Sequence, residues 1–322
     1  MLQIKFIRLA HIIGVTLQRD TPAPTLVGDS KRAMNELQPS GPAAILANGL
    51  HQIQIVHYFV LSGITVWAYE YLTTFKSELL LMWMPRIRVG NLLRVVFLYC
   101  RYGILLQLLL FLYMTFPNED FTSNRCNGIT SMIFVMDILL AACGDGLVVY
   151  MICSSWNWRR DVTWILCSSI IVLYSAAIAF AGQTLSILLN EKDILFADFG
   201  FVRTCFVSSV PSSYVRAFIL YASMDLFTLA SFTLNALSRP RNASQRLFDV
   251  LIKDGISFLM VSFSLKLATI LVIRVSDAPI SIMFPVFSIT LVSAATSRLY
   301  LRFCSASLEL RRRQYAALGL LQ

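Results

Sequence analysis

Seven apolar runs, at about 53–75, 92–116, 129–153, 163–187, 214–237, 254–273 and 280–301, divide the chain, and the stretches between them carry nearly all of its charge. Each run supplies the ~20 residues with which an α-helix crosses ~30 Å of hydrocarbon. The pattern predicts an all-α membrane protein, a bundle of seven transmembrane helices over residues 53–301. Composition agrees: 57% of the 322 residues are hydrophobic and 14% charged, where a soluble domain carries about 25% charged residues. One water-soluble core cannot hide that excess, so the lipid bilayer, of the plasma membrane or an endomembrane, is the first partner.

Loop charge sets the orientation. Lys76, Arg86, Arg88 and Arg94, then Arg159 and Arg160, then Arg239, Arg241, Arg246 and Lys253 occupy loops on one side, joined by Arg298, Arg302 and Arg311 to Arg313 near the end of the chain. Beyond the N-terminal tail, the other side carries Arg125, Lys192, Arg203, Arg216 and Arg274. Positive residues favour cytoplasmic loops, which puts the N-terminus outside and the C-terminus in the cytoplasm. Trp83, Trp156, Trp158 and Trp164 fall at the same inner interface, a depth suited to an amphipathic indole. Asn242, in the sequon "NAS", is then cytoplasmic and unglycosylated. The net charge of +9 is explained by topology-setting loops and anionic headgroups, and no nucleic acid partner is expected.

Residues 1–52, with Pro22, Pro24, Pro39 and Pro42 among polar residues, read as an extracellular, poorly ordered tail. Within it "MLQIKFIRLAHIIGVTLQ" leaves open a weak signal sequence or an interfacial helix. Residues 302–322 read as a basic cytoplasmic tail.

Chemical motifs are missing. His11, His51 and His57 form no ligand cluster, and no P-loop, nucleophile elbow or dinucleotide fingerprint is present, so no catalytic residue, metal or cofactor is assigned. Residues 280–301 hold no lysine for a retinal Schiff base; Lys266 is on the sixth run. "YMICSSWNWRR" and "SAATSRLYLRF" stand where Asp/Glu-Arg-Tyr and Asn-Pro-x-x-Tyr would mark the large class of G-protein-coupled receptors. No internal repeat or matched pair of broken runs marks a transporter. Pro285 is expected to kink the seventh run.

Charges inside the runs are functional candidates by default, and here they are Glu70, Arg101, Asp137, Asp145, Asp225 and Lys266. Counting ~1.5 Å per residue from the outer ends puts Arg101, Asp145 and Glu70 at depths of ~22, ~24 and ~25 Å. Arg101 is therefore expected to pair with Asp145, with Glu70 as a competing or additional partner; the alternative is snorkelling to inner headgroups ~8 Å away. Lys266 and Asp137, ~10 and ~12 Å from the outer side, form a second candidate pair, and Asp225 lies deeper at ~16 Å.

Of seven cysteines, Cys126 and Cys205 alone fall in the outer, oxidising loops. They are expected to form a disulfide placed like that of many seven-span receptors, two free thiols being the alternative. Cys304, at the inner interface, is either a palmitoylation site or an unmodified thiol.

"AYEYLTTFKSELLLMW" followed by "RVVFLYCRYGILL" resembles a family of fungal seven-span membrane proteins known only as a domain of unknown function. The matching positions are Tyr69, Glu70, Leu72, Thr74, Glu78, Trp83, Arg101 and Tyr102, within residues 55–105; the family more often has Asp where Glu70 stands. The resemblance implies membrane location and seven spans, and no activity.

Three functions remain open. Seven spans with an outside N-terminus fit a receptor-like or sensory protein of unknown ligand, with a cytoplasmic protein partner at loop 237–253 and tail 302–322. Buried charges fit a transporter or channel-like protein. A lipid-modifying enzyme using a membrane-embedded carboxylate is the third.

Overall fold

The computed structural model describes residues 42–83, 91–115, 122–156, 158–190, 194–198, 203–207, 210–238, 246–276 and 278–317. Asn242 and residues 1–41, including the stretch read as a signal sequence or interfacial helix, lie outside them. The chain divides after Asn48, and the following concerns the unit Gly49–Gln322.

Among the described residues there are seven α-helices: α1 (Pro42–Glu78), α2 (Asn91–Thr115), α3 (Ser123–Ser155), α4 (Arg160–Asn190), α5 (Ser212–Ser238), α6 (Arg246–Val275) and α7 (Ala278–Ala317). Helices satisfy their own backbone groups, as lipid requires. The six from α2 to α7 are long and apolar enough to cross a membrane, and the protein is read as an integral membrane protein on that basis. α1 is longer than most of them, but His57, Tyr58, Trp67, Tyr69 and Glu70 interrupt its apolar stretch. Large apolar side chains such as Leu72, Ile171, Trp164 and Val275 stand exposed on the outer helix faces, where lipid replaces water.

The all-α expectation holds for the bundle, and one connection adds a short hairpin. Between α4 and α5 runs an antiparallel hairpin, β1 (Ile194–Asp198) and β2 (Arg203–Val207), with Phe196 opposite Cys205. Its backbone lies against α3 on one strand and α2 and α7 on the other, and this defines the hairpin end of the bundle. Two short strands at the rim bond to each other, which helices crossing the core have no need to do.

α3 is central, touching α2, α4, α5 and α7, while α4 to α7 pack in sequence and α7 returns to α2. At Gly63 of α1 an added Cβ would come within 3.0 Å of Leu108, so the missing side chain sets the approach of α1 to α2. The larger core cluster, around Met82, Phe97, Leu147, Ile152, Met224 and Tyr300, lies away from the hairpin. A smaller one, with Val60, Leu108, Phe111, Cys126 and Met283, lies towards it.

α1 ends in a π-helical turn, Leu79–Trp83, that directs Leu81 and Met82 into the core. The α3–α4 connection is so tight that Trp158 takes a positive φ of 54°, a conformation that costs a bulky residue energy. Its ring meets Tyr150 edge-on at 5.5 Å. α7 contains Pro285 and continues to Ala317, carrying the helix well into the segment read as a tail.

Candidate functional site

Among the described residues, buried charge gathers in two places. The first begins with the spacing of α1: Glu70, Thr74 and Glu78 recur every fourth residue, which places them on one helical face. α2 faces this stripe with Arg101 and Tyr102. Arg101 Nε lies 2.8 Å from Glu78 Oε2, with both side chains buried. The approach is off the line of a hydrogen bond, so the guanidinium is held chiefly by charge there and donates elsewhere. Its Nη2 donates to Thr74 Oγ1 at 2.7 Å and towards the Tyr71 carbonyl at 3.4 Å. Thr74 can accept because its own hydroxyl proton goes to the Glu70 carbonyl at 2.6 Å. The rings of Tyr71 and Phe97 lie 5.3 and 6.0 Å from the guanidinium carbon, adding cation–π attraction.

Glu78 is equally well held. Tyr102 donates its hydroxyl to Oε1 at 2.8 Å, and Trp83 Nε1 donates to the same atom at 3.3 Å. The Trp83 contact spans five residues, the repeat of the π turn between them. Trp67 Nε1 donates to the Arg101 carbonyl at 2.8 Å. Next to this pair, Arg298 of α7 clasps Glu70 through Nε and Nη2 at 3.1 and 2.9 Å and reaches Thr73. One turn on, Arg302 pairs with Asp254 of α6 in a more exposed contact.

The expected pairing of Arg101 with Asp145 is corrected: the direct partner of Arg101 is Glu78, and that of Glu70 is Arg298. Depth was an adequate guide to level, but direction around the helix decides the partner. Gln107, six residues beyond Arg101, faces α3; at about 100° per residue the two side chains point a third of a turn apart. Snorkelling is likewise excluded, since the Arg101 side chain is only 4% exposed.

The second cluster lies in the bundle interior. Lys266 of α6 donates to Asp225 Oδ1 of α5 at 2.7 Å and stands 3.6 Å from Asp145 Oδ2 of α3. Ser262 donates to the other Asp225 oxygen at 2.7 Å, and Tyr174 of α4 donates to Asp145 at 2.6 Å. Three helices thus meet on one ammonium, and α4 joins them through Tyr174. The expected pair of Lys266 with Asp137 is corrected to this triad: the flexible lysine stem reaches along the bundle, so its nitrogen need not sit at the depth of its α-carbon. Asp137 instead accepts a short hydrogen bond from the Gln107 amide.

Both carboxylates of α3 and Lys266 line a cavity of about 910 Å³, its open edge included. Most of the wall is apolar, from residues such as Phe134, Leu140, Phe218 and Val292, with Tyr214, Tyr221 and Ser293 among the polar exceptions. This is the composition of small-molecule sites, a greasy wall with a few polar groups.

Cys126 is disulfide-bonded, whereas Cys100, Cys143, Cys153, Cys167 and Cys304 are free thiols. The Cys205 side chain lies outside the described residues. Cys304 is buried in the larger core cluster at 7% exposure, its thiol packed inward on an α7 that continues past it. Among the described residues no group of His, Cys, Asp and Glu is arranged to hold a metal ion.

Residues 58–106 match a family described as a family of unknown function, DUF6533. The matched segment is α1 from Tyr58, the π turn and α2 as far as Leu106, so it contains the Glu78–Arg101 pair with Thr74, Trp83 and Tyr102. Asp137, Asp145, Asp225 and Lys266 lie beyond it. No curated protein and no solved structure matches the chain.

Sequence reasoning found the charged residues and missed Glu78, Arg298, Gln107 and Tyr174 as partners. Glu78 had a signal, the Glu70/Thr74/Glu78 stripe. The first apolar run ends at about residue 75, short of Glu78. Tyr174 and Gln107 are single polar residues in apolar helices and carried no comparable mark.

Proposed function

We propose that this chain is a receptor-like, ligand-sensing membrane protein with seven spans, α1 being the first, N-terminus outside and C-terminus in the cytoplasm. The observation that carries the reading is the interior cavity: a site for a small, mostly apolar molecule, walled by α2 to α7 and joined to a charge triad that, with Tyr174, links four of those helices. A ligand touching Asp145 or Lys266 would bias the packing of α3 to α6 together, and differential contact of that kind shifts a conformational equilibrium. The seven-span count and the fungal kinship rest on the resemblance of residues 55–105. The Cys126–Cys205 disulfide is part of the proposal, supported by the bonded state of Cys126 and by the hairpin backbone lying against α3. It would fix the hairpin to the start of α3.

The partner surface is the 237–253 loop with the basic end of α7, residues 311–313. Co-purification from native membranes should retain a cytoplasmic protein with the full chain and lose it when the chain stops at residue 310. That truncation leaves Arg302 and its contact with Asp254 in place. Capture that does not depend on the basic end would remove the partner claim. Transport is the second reading, favoured by carboxylates outnumbering ammonium groups around the cavity; proton or solute flux in liposomes that vanishes in Asp137→Asn would establish it in place of sensing.

A further inference from the structure

The cavity wall is unbalanced. Asp137 and Asp145 line it with one Lys266, and the lysine is already committed to Asp145 and Asp225. Asp137 lies eight residues before Asp145 on α3, about 12 Å along the axis, beyond the reach of that ammonium. Its partner is the neutral Gln107 amide. Gln107 is itself fully buried, and its Oε1 has no donor. A carboxylate without a cation thus lines the cavity, bonded to an amide whose oxygen lacks a donor. Buried acceptors without donors are costly, and an anion without a cation more so, especially within a bilayer.

We propose that the Asp137 end of the cavity is a binding site for an organic cation, an ammonium group carried on an apolar body. An ammonium brings positive charge and up to three N–H donors, enough for the carboxylate and the Gln107 oxygen together. The body fits the apolar wall of Phe134, Tyr214 and Phe218. Lys266 sets the polarity of the arrangement: cation at Asp137, apolar body inside, protein ammonium at the far end. The inference rests on the ligand-sensing reading and names its substrate class.

The test uses the full chain in lipid nanodiscs and three probes of one shape: cyclohexylmethylamine, cyclohexylmethanol and cyclohexanecarboxylate. Thermal unfolding is followed against probe concentration. The amine is expected to bind about tenfold tighter than the alcohol, the scale of one charge-assisted hydrogen bond, and the carboxylate not to bind. Asp137→Asn should bring amine and alcohol to equal affinity, while Asp137→Glu keeps the preference. Equal effects of amine and alcohol on the wild-type chain overturn the cation site, show that Asp137 holds a proton instead, and leave the cavity reading intact. An amine preference that survives in Asp137→Asn also overturns it. If no probe shifts the wild-type transition, the ligand-sensing reading fails with it. The wild-type comparison decides even if the Asn variant does not fold.

Discussion

The Arg101 cluster and the Lys266 cluster solve the same problem differently. Around Arg101 and Glu78 each charge has an opposite charge, and neighbouring hydroxyl, indole and backbone groups bond Arg101 Nη2 and Glu78 Oε1. Around Lys266 one cation serves two carboxylates, and a third, Asp137, stands apart on a neutral amide. The first cluster is closed and lies against the core, the second is open and lines a cavity. Charge balance is what a structural joint needs, because an unpaired charge there would only weaken it. Imbalance persists where something else completes the set. The segment that matches the family of unknown function holds the closed cluster, so that match speaks to how α1 and α2 are joined rather than to what the cavity takes.

The largest effect should come from breaking the closed pair. Arg101→Met leaves Glu78 buried and without its cation, at a cost of about 3–5 kcal/mol, read as the loss in unfolding free energy in detergent. Arg101→Met with Glu78→Gln should recover part of that, whereas Arg101→Met with Asp145→Asn should be additive, since those residues share no partner. Coupling to Asp145 and none to Glu78 would mean that the two clusters have been wrongly divided.

Lys266→Met comes next, at about 2–3 kcal/mol, because Ser262 and Tyr174 still donate to the carboxylates left behind. Asp225→Asn in that background should restore stability. Asp137→Asn should cost no more than about 1 kcal/mol in the unliganded protein, since an amide can still bond Gln107 and no cation is stranded. That near-neutral result is the sharpest contrast between the clusters: a loss as large as that of Arg101→Met would show Asp137 to be structural too.

The helices were legible because lipid leaves the backbone few choices, and runs of about 20 apolar residues announce it. The hairpin was not, since "ILFAD" and "RTCFV" are short, sit beside charged residues and read as loop. The length of α7 was hidden because a helix leaving the membrane turns polar and loses its hydropathy signal while keeping its hydrogen bonds. In the site, sequence shows which charges are buried and roughly how deep, but partner choice depends on the direction each side chain takes around its helix and on which helices touch. Arg101 therefore stood out at once. Its partner Glu78 was visible only as the third member of a stripe one turn beyond the expected end of α1.

The smallest effect tests the π turn that brings Trp83 back over Glu78. Trp83 is 57% exposed and its indole N–H is 3.3 Å from a carboxylate oxygen that already has a better donor in Tyr102. Trp83→Phe should therefore cost about 0.5 kcal/mol, the lower end of a hydrogen bond's net contribution, while Tyr102→Phe costs about 1.5–3 kcal/mol as a bond to a charged group. In the Tyr102→Phe background the indole becomes the main neutral donor to Oε1, so the Trp83→Phe loss should grow there to about 1 kcal/mol. A Trp83→Phe effect that is the same in both backgrounds would place the indole outside the closed cluster. It would then serve as an interfacial anchor, and the wide turn would serve only to bury Leu81 and Met82.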